Sequence, residues 1–145
     1  MDTFLWIPAL FILLEVTNVL ALYFKPGTKL ANGVGVFKAW ETSKADPEVH
    51  AFVRYLVYWV AGTKLIFLGL LTAILLYGAP ELQRIALVVL VVAIATFYLR
   101  LFPLIRGMDR EGQIDPPGYS RILGILIALF ILALGSTAYF FPTNL

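Results

Sequence analysis

Glu15 and Lys64 are the two side chains whose chemistry demands an explanation, because each lies near the middle of an otherwise apolar run. An ionisable group at the centre of a bilayer costs about 2.5–3.5 kcal/mol on insertion scales, so such groups pair with one another or mark a path for ions or ligands. Asn18 follows Glu15 by three positions, which on a helix puts both side chains on one face. Thr96 lies at a comparable position in the third apolar run. The residue types and spacing therefore predict a polar cluster of Glu15, Asn18, Lys64 and Thr96. Two roles fit it: an ion pair that fixes the packing of the first two spans, or a carboxylate that handles a proton or cation.

Other site chemistries lack their residues. The chain contains no cysteine, which removes disulfides, thiolate metal sites and cysteine nucleophiles. His50 is the single histidine; two-histidine haem ligation within one chain is excluded and a zinc site would lack its usual ligands. His50 reads as a solvated interfacial residue. Asp109, Glu111 and Asp115 do not follow a calcium-loop pattern and read as a solvated turn, paired with Arg106 and Arg110. Gly33-Val34-Gly35 is too short for a phosphate-cradling loop. No catalytic constellation is visible, no cofactor is indicated, and a non-enzymatic role is the expectation.

These residues must be positioned by membrane-spanning helices. Of 145 residues, 61% are hydrophobic and 14% charged, against about 45–50% and 25% in soluble domains; the mean hydropathy is +0.89. A span needs about 20 mainly apolar residues. Four runs qualify: Phe4–Phe24, Tyr55–Tyr77, Ile85–Ile105 and Ile122–Phe141. Met1-Asp2-Thr3 lacks the basic start of a secretory signal and no lipidation motif is present, so the first run is taken as a retained span. Asp46-Pro47-Glu48 is a helix-start signal, predicting a second helix that begins ahead of the apolar run and ends at Gly78-Ala79-Pro80. Pro103 is placed to kink the third span near its end. Small residues at Gly62, Gly69, Gly124, Ala128 and Gly135 mark packing seams within the chain or between copies.

The connections set orientation. The first loop carries Lys25, Lys29, Lys38 and Lys44, the third Arg106, Arg110 and Arg121, whereas the second has only Arg84. By the positive-inside rule loops one and three face the cytoplasm and both termini lie on the non-cytoplasmic side. Lys25, Lys29, Lys38, Arg54, Arg100 and Arg106 are then candidate contacts to lipid headgroups. The stretch Val34–Trp40 is expected along the interface with Trp40 as an anchor, and Phe52, Tyr55, Tyr58 and Trp59 form an aromatic belt. With Glu15 central in the first span and Lys64 about three residues from the midpoint of the second, their depths differ by about 3–6 Å, and consecutive helices are usually neighbours.

Leu14-Glu15-Val16-Thr17-Asn18 resembles the first helix of small multidrug-resistance transporters, and the resemblance implies a functional membrane glutamate at Glu15. It is confined to that helix. The long first loop and the lysine at Lys64 depart from the family's pattern, and the aromatic and glycine pattern is missing elsewhere. The expectation is therefore an all-α integral membrane protein: one domain, residues 1–145, of four antiparallel transmembrane helices in a compact bundle, with residues 25–54 as an interfacial or cytoplasmic loop. It would reside in the cytoplasmic (inner) membrane if the source is bacterial. Its partners would be the lipid bilayer and other membrane subunits or a second copy, not nucleic acid. The expected role is an accessory or assembly subunit or an oligomeric scaffold; the alternative is a small proton- or cation-coupled transporter or hydrophobic-ligand-binding protein using Glu15.

Overall fold

Six α-helices carry the chain in the computed structural model, which describes residues 5–140: α1 Trp6–Phe24, α2 Lys38–Ser43, α3 Pro47–Tyr77, α4 Pro80–Ala95, α5 Leu101–Arg110 and α6 Tyr119–Phe140. No strand occurs among the described residues, and four helical stretches are long and apolar enough to cross a membrane: α1, α3, α6 and the run from Pro80 to Arg110. The predicted span ends Phe4 and Phe141 lie outside the described residues.

Local chemistry explains most of the helix ends. Asp46 accepts from the backbone N–H of Glu48 at 3.0 Å and of Val49 at 3.2 Å, and Pro47 occupies the first helical position, where a missing N–H removes no helical bond. This start lets α3 run for 31 residues. Its end and the start of α4 nearly coincide, because Pro80 opens α4 directly. The second connection is therefore only Gly78 and Ala79, and Arg84 lies within α4 rather than in a loop. α6 likewise starts a turn earlier than the apolar run Ile122–Phe141 implied. Its first turn is capped from a distance: Asp109 of α5 accepts from the N–H of Ser120 at 3.0 Å and from its hydroxyl at 2.6 Å.

The third span is broken. α4 gives way to a 3₁₀ turn at Thr96–Tyr98, and Arg100 leaves helical geometry at φ −130°, ψ −47° before α5 begins. Pro103 accounts for this position. It has no N–H for the carbonyl of Leu99 and its ring crowds that carbonyl, so an uninterrupted helix through this point would lose a bond and clash. Restarting at Leu101 puts Pro103 in the first turn of α5, where it is tolerated.

α1 packs chiefly on α3, and α4 on α6, with lesser contacts joining α1 to α6 and α3 to α4. Leu87 and Leu134 are fully buried where α4 meets α6, alongside Phe11 of α1 and Leu71 of α3. A second cluster joins Val19 and Leu22 of α1 to Val57, Ala61 and Leu68 of α3, with Trp40 among them. Trp40 is 6% exposed, so it is a core residue of the folded loop and not an interfacial anchor. Its ring packs 4.9 Å from that of His50, and His50 Nδ1 shares a 2.8 Å hydrogen bond with Ser43. His50 is thus half-buried and bonded rather than simply solvated.

Loop one is folded onto loop three. The N–H of Lys38 donates to Gln113 O at 2.9 Å and that of Asp115 to Val36 O at 2.8 Å, a single bridge centred on Phe37 and Ile114. Val36 and Ile114 are buried beneath it with Ile105, and Lys29 pairs with Asp115 above. The glycines of loop one serve close approach, not phosphate binding. A Cβ on Gly35 would sit 2.0 Å from the carbonyl oxygen of Gly27, and one on Gly27 2.5 Å from the indole nitrogen of Trp40. Among the small residues of the spans, Gly124 is needed against Phe102, whereas Gly69 and Gly135 face open space.

Two outcomes follow from this packing. Gly35→Ala forces backbone against backbone and is expected to destabilise the protein by about 1–3 kcal/mol, read as unfolding in nanodiscs, while Gly69→Ala, whose Cβ meets nothing within 4 Å, leaves stability unchanged. The hydrogen bond and charge of Lys29 hold the Asp115 carboxyl below its ordinary 3.8, with Lys38 adding to the effect. A depressed folded-state pKa stabilises the docked loops above the ordinary value, and the contribution disappears as pH falls through the folded value. A stability profile in nanodiscs should therefore show a small loss as pH falls below 3.8, with the loops still docked by their backbone bonds, and Asp115→Asn should abolish that loss.

Candidate functional site

Glu15 is the central residue of α1, and Lys64 reaches it from α3. Lys64 Nζ donates to Glu15 Oε2 at 2.5 Å and to Asn18 Oδ1 at 2.6 Å. The two charged side chains retain 28% and 29% exposure, while Asn18 is buried. α1 and α3 thereby share a charge-assisted contact at the partly open edge of their apolar interface.

Asn18 extends the cluster into loop one. Its Nδ2 donates to Ala31 O at 2.6 Å and Asn32 O at 3.1 Å. Asn18 precedes the last residue of α1 by six positions, so the loop folds back along the helix by about 9 Å. Irregular backbone at that depth is tolerated in a membrane where protein buries it or where it lines a cavity. Ala31 and Asn32 take φ of 50° and 55°, the left-handed region that costs a non-glycine residue about 1–2 kcal/mol. That turn aims both carbonyls at Asn18. The Tyr119 hydroxyl donates to Asn32 Oδ1 and ties the loop tip to the start of α6.

A cavity of about 480 Å³ opens beside this cluster, between all four long helical stretches and the loop tip. Glu15, Asn18 and Lys64 line it together with Ala31 and Asn32, and its remaining wall is apolar. Phe11 packs edge-on against Phe67 at 6.5 Å and Phe130 at 5.5 Å, and all three rings face the cavity. An ammonium has three donors; Glu15 and Asn18 take two of those of Lys64, and the cavity can offer a partner to the third. Chemically the site is a half-open apolar cavity with a donor and a carboxylate at one end, of a size that suits a small ligand.

Thr96 does not join the cluster. Its hydroxyl donates to Ala93 O at 2.6 Å because the chain has turned into the 3₁₀ segment there, and the side chain is exposed. Of the basic residues considered for headgroups, Lys25, Lys38, Arg100 and Arg106 are exposed, Lys29 is paired with Asp115, and Arg54 donates to Tyr58 OH at 3.2 Å. Tyr58 stacks on Tyr23 of α1 at 6.0 Å, whereas Phe52, Tyr55 and Trp59 point outward. Sequence reasoning does not reach the loop residues Ala31 and Asn32 or Tyr119 at the start of α6; the run Leu30-Ala31-Asn32-Gly33 carries a turn signal in Asn-Gly but nothing that announces its partner. No group of metal-ligating side chains occurs among the described residues. No protein-family model matches the chain, and neither a curated protein nor a solved structure matches it.

The shared bonds make the pair's energetics measurable. Glu15→Gln or Lys64→Met alone strands a polar partner and is expected to cost about 1–3 kcal/mol, while the double variant recovers much of it. The coupling energy from a double-mutant cycle in nanodiscs should exceed the roughly 0.6 kcal/mol average for hydrogen bonds within membranes.

Proposed function

We propose that this chain is a non-enzymatic integral membrane protein that binds a hydrophobic ligand with one polar end in the cavity beside Glu15 and Lys64. The observation that carries the reading is the position of the charged pair on a cavity wall, rather than sealed between helices. The apolar wall with its phenyl rings suits a hydrocarbon or isoprenoid-like body. The Lys64 ammonium and Glu15 carboxylate suit a hydroxyl or carbonyl end group. A neutral end group is favoured because the pair is internally balanced and would be left with an uncompensated charge beside an ionic one.

Topology enters the same reading. The mutual docking of loops one and three supports placing them on one side of the membrane, with consecutive spans antiparallel. Their lysines and arginines then favour the cytoplasmic side, which leaves both termini outside, in the inner membrane if the source is bacterial. The scaffold or assembly-subunit reading has one observation of its own: Lys64 is bonded to both Glu15 and Asn18, and Asn18 in turn to the loop, as a lock would be. In that case partners would be other membrane subunits or a second copy, alongside the lipid bilayer.

Cavity filling separates the two. In nanodiscs, a long-chain alcohol bearing a diazirine should photolabel residues of the cavity wall such as Phe130. Ala93→Trp, which fills the cavity from α4, should abolish that labelling with helicity retained, and Glu15→Gln with Lys64→Met should reduce it. Labelling spread evenly over the outer faces, unaffected by Ala93→Trp, would sink the ligand reading and leave the lock.

A further inference from the structure

Every acid of loop three is already committed, and none of them to an arginine. Asp109 Oδ1 accepts from the N–H of Gly118 at 2.9 Å and Oδ2 from Ser120. Glu111 accepts from Gln113 Nε2, and Asp115 is held by Lys29. The pairing of these acids with Arg106 and Arg110 expected from their proximity in sequence is therefore absent. Arg106, Arg110 and Arg121 instead line a cleft of about 290 Å³ where α5 meets the start of α6. They are exposed, and no ion pair among the described residues includes them. Arg106 is steadied by Phe102, its guanidinium carbon lying 6.0 Å from the ring centroid. Asp109 is the one carboxylate in the cleft, and its oxygens are turned to Gly118 and Ser120.

We propose that Arg106, Arg110 and Arg121 form a binding site for a phosphate group, separate from the cavity at Glu15 and Lys64. Three guanidiniums against a single carboxylate leave a positive excess. Their fixed forks match phosphate oxygens in a way that ammonium groups do not. The cleft is also concave and built at a helix junction, unlike the dispersed charges of Lys25, Arg54 and Arg100. The phosphate can belong to an anionic lipid headgroup, since basic pockets beside spanning helices take such groups, or to a soluble phosphate; the chemistry is shared and the test divides them.

The test uses the full chain in nanodiscs of neutral phosphatidylcholine, titrated separately with dioctanoyl phosphatidic acid, dioctanoylglycerol and inorganic phosphate, with bound species read by native mass spectrometry. Phosphatidic acid should bind and dioctanoylglycerol should not. The triple substitution Arg106→Gln, Arg110→Gln, Arg121→Gln should weaken binding on the order of 100-fold, whereas Arg84→Gln, at the exposed start of α4 away from the cleft, should leave it unchanged. Should the triple variant fail to fold, Arg106→Lys alone keeps the charge and removes the fork, and a loss of about tenfold is expected. Competition by inorganic phosphate identifies a soluble phosphate as ligand; retention of the lipid against inorganic phosphate identifies a headgroup. An equal loss in the triple variant and in Arg84→Gln, or no binding of either phosphate probe, overturns the proposal.

Discussion

Asn18 holds together the parts of this molecule that lie in or fold into the apolar layer. A carboxamide has one acceptor and two donor hydrogens, and Asn18 uses them on opposite sides: Oδ1 takes Lys64, and Nδ2 takes the carbonyls of Ala31 and Asn32. The orientation follows from the partners, since the reverse would set donors against an ammonium and an acceptor against two carbonyls. Backbone carbonyls of an irregular loop and an ammonium group are both costly in hydrocarbon when left unpaired. One buried side chain answers both demands, and no buried side-chain nitrogen or oxygen is left without a partner among the described residues.

The remaining architecture arranges itself around that constraint. α1 and α3 are pressed together by the pair and by the Val19, Val57 and Ala61 contacts beneath it. α4 and α6 form the other closely packed pair, meeting at Leu87 and Leu134. Between the two pairs contact is lighter, and that is where the cavity opens. The break forced by Pro103 redirects the chain after α4, so α5 packs against α6 and carries Ile105 under the docked loops. Phe102 is brought against Gly124, where even a methyl group would meet the ring at 2.6 Å.

Much of this was legible from residue order because hydrophobic runs, helix caps and depth are one-dimensional quantities. The capping of α3 by Asp46 followed from three adjacent residues. The meeting of Glu15, Asn18 and Lys64 followed from counting positions along two consecutive spans. Thr96 satisfies the same depth criterion yet stands apart, because depth says nothing about rotation around a helix and a break upstream of Pro103 resets it. Loop one was harder still. Trp40 and the glycines carry the composition of an interfacial segment, and only the tertiary contacts of Trp40 with Gly27 and His50 distinguish a folded loop from a surface strip. The acids of loop three were misassigned for a related reason: sequence proximity favours Arg106 and Arg110, but backbone donors at the start of α6 and Lys29 from loop one reach them first.

An ion pair is a poor device for merely fastening two helices. The attraction must first repay desolvation of both groups, and replacing such pairs by packed apolar side chains of similar volume is often neutral or stabilising by about 1–4 kcal/mol. α1 and α3 already possess a packed seam of that apolar kind, at Val19, Leu22, Val57, Ala61 and Leu68. Lys64 and Glu15 add to it two groups that remain partly open to a cavity. A seam that is complete without the charges leaves their cost unexplained by packing alone. On the reading proposed above, a polar end for a ligand in that cavity would supply the missing reason, which is the argument for preferring binding over the lock.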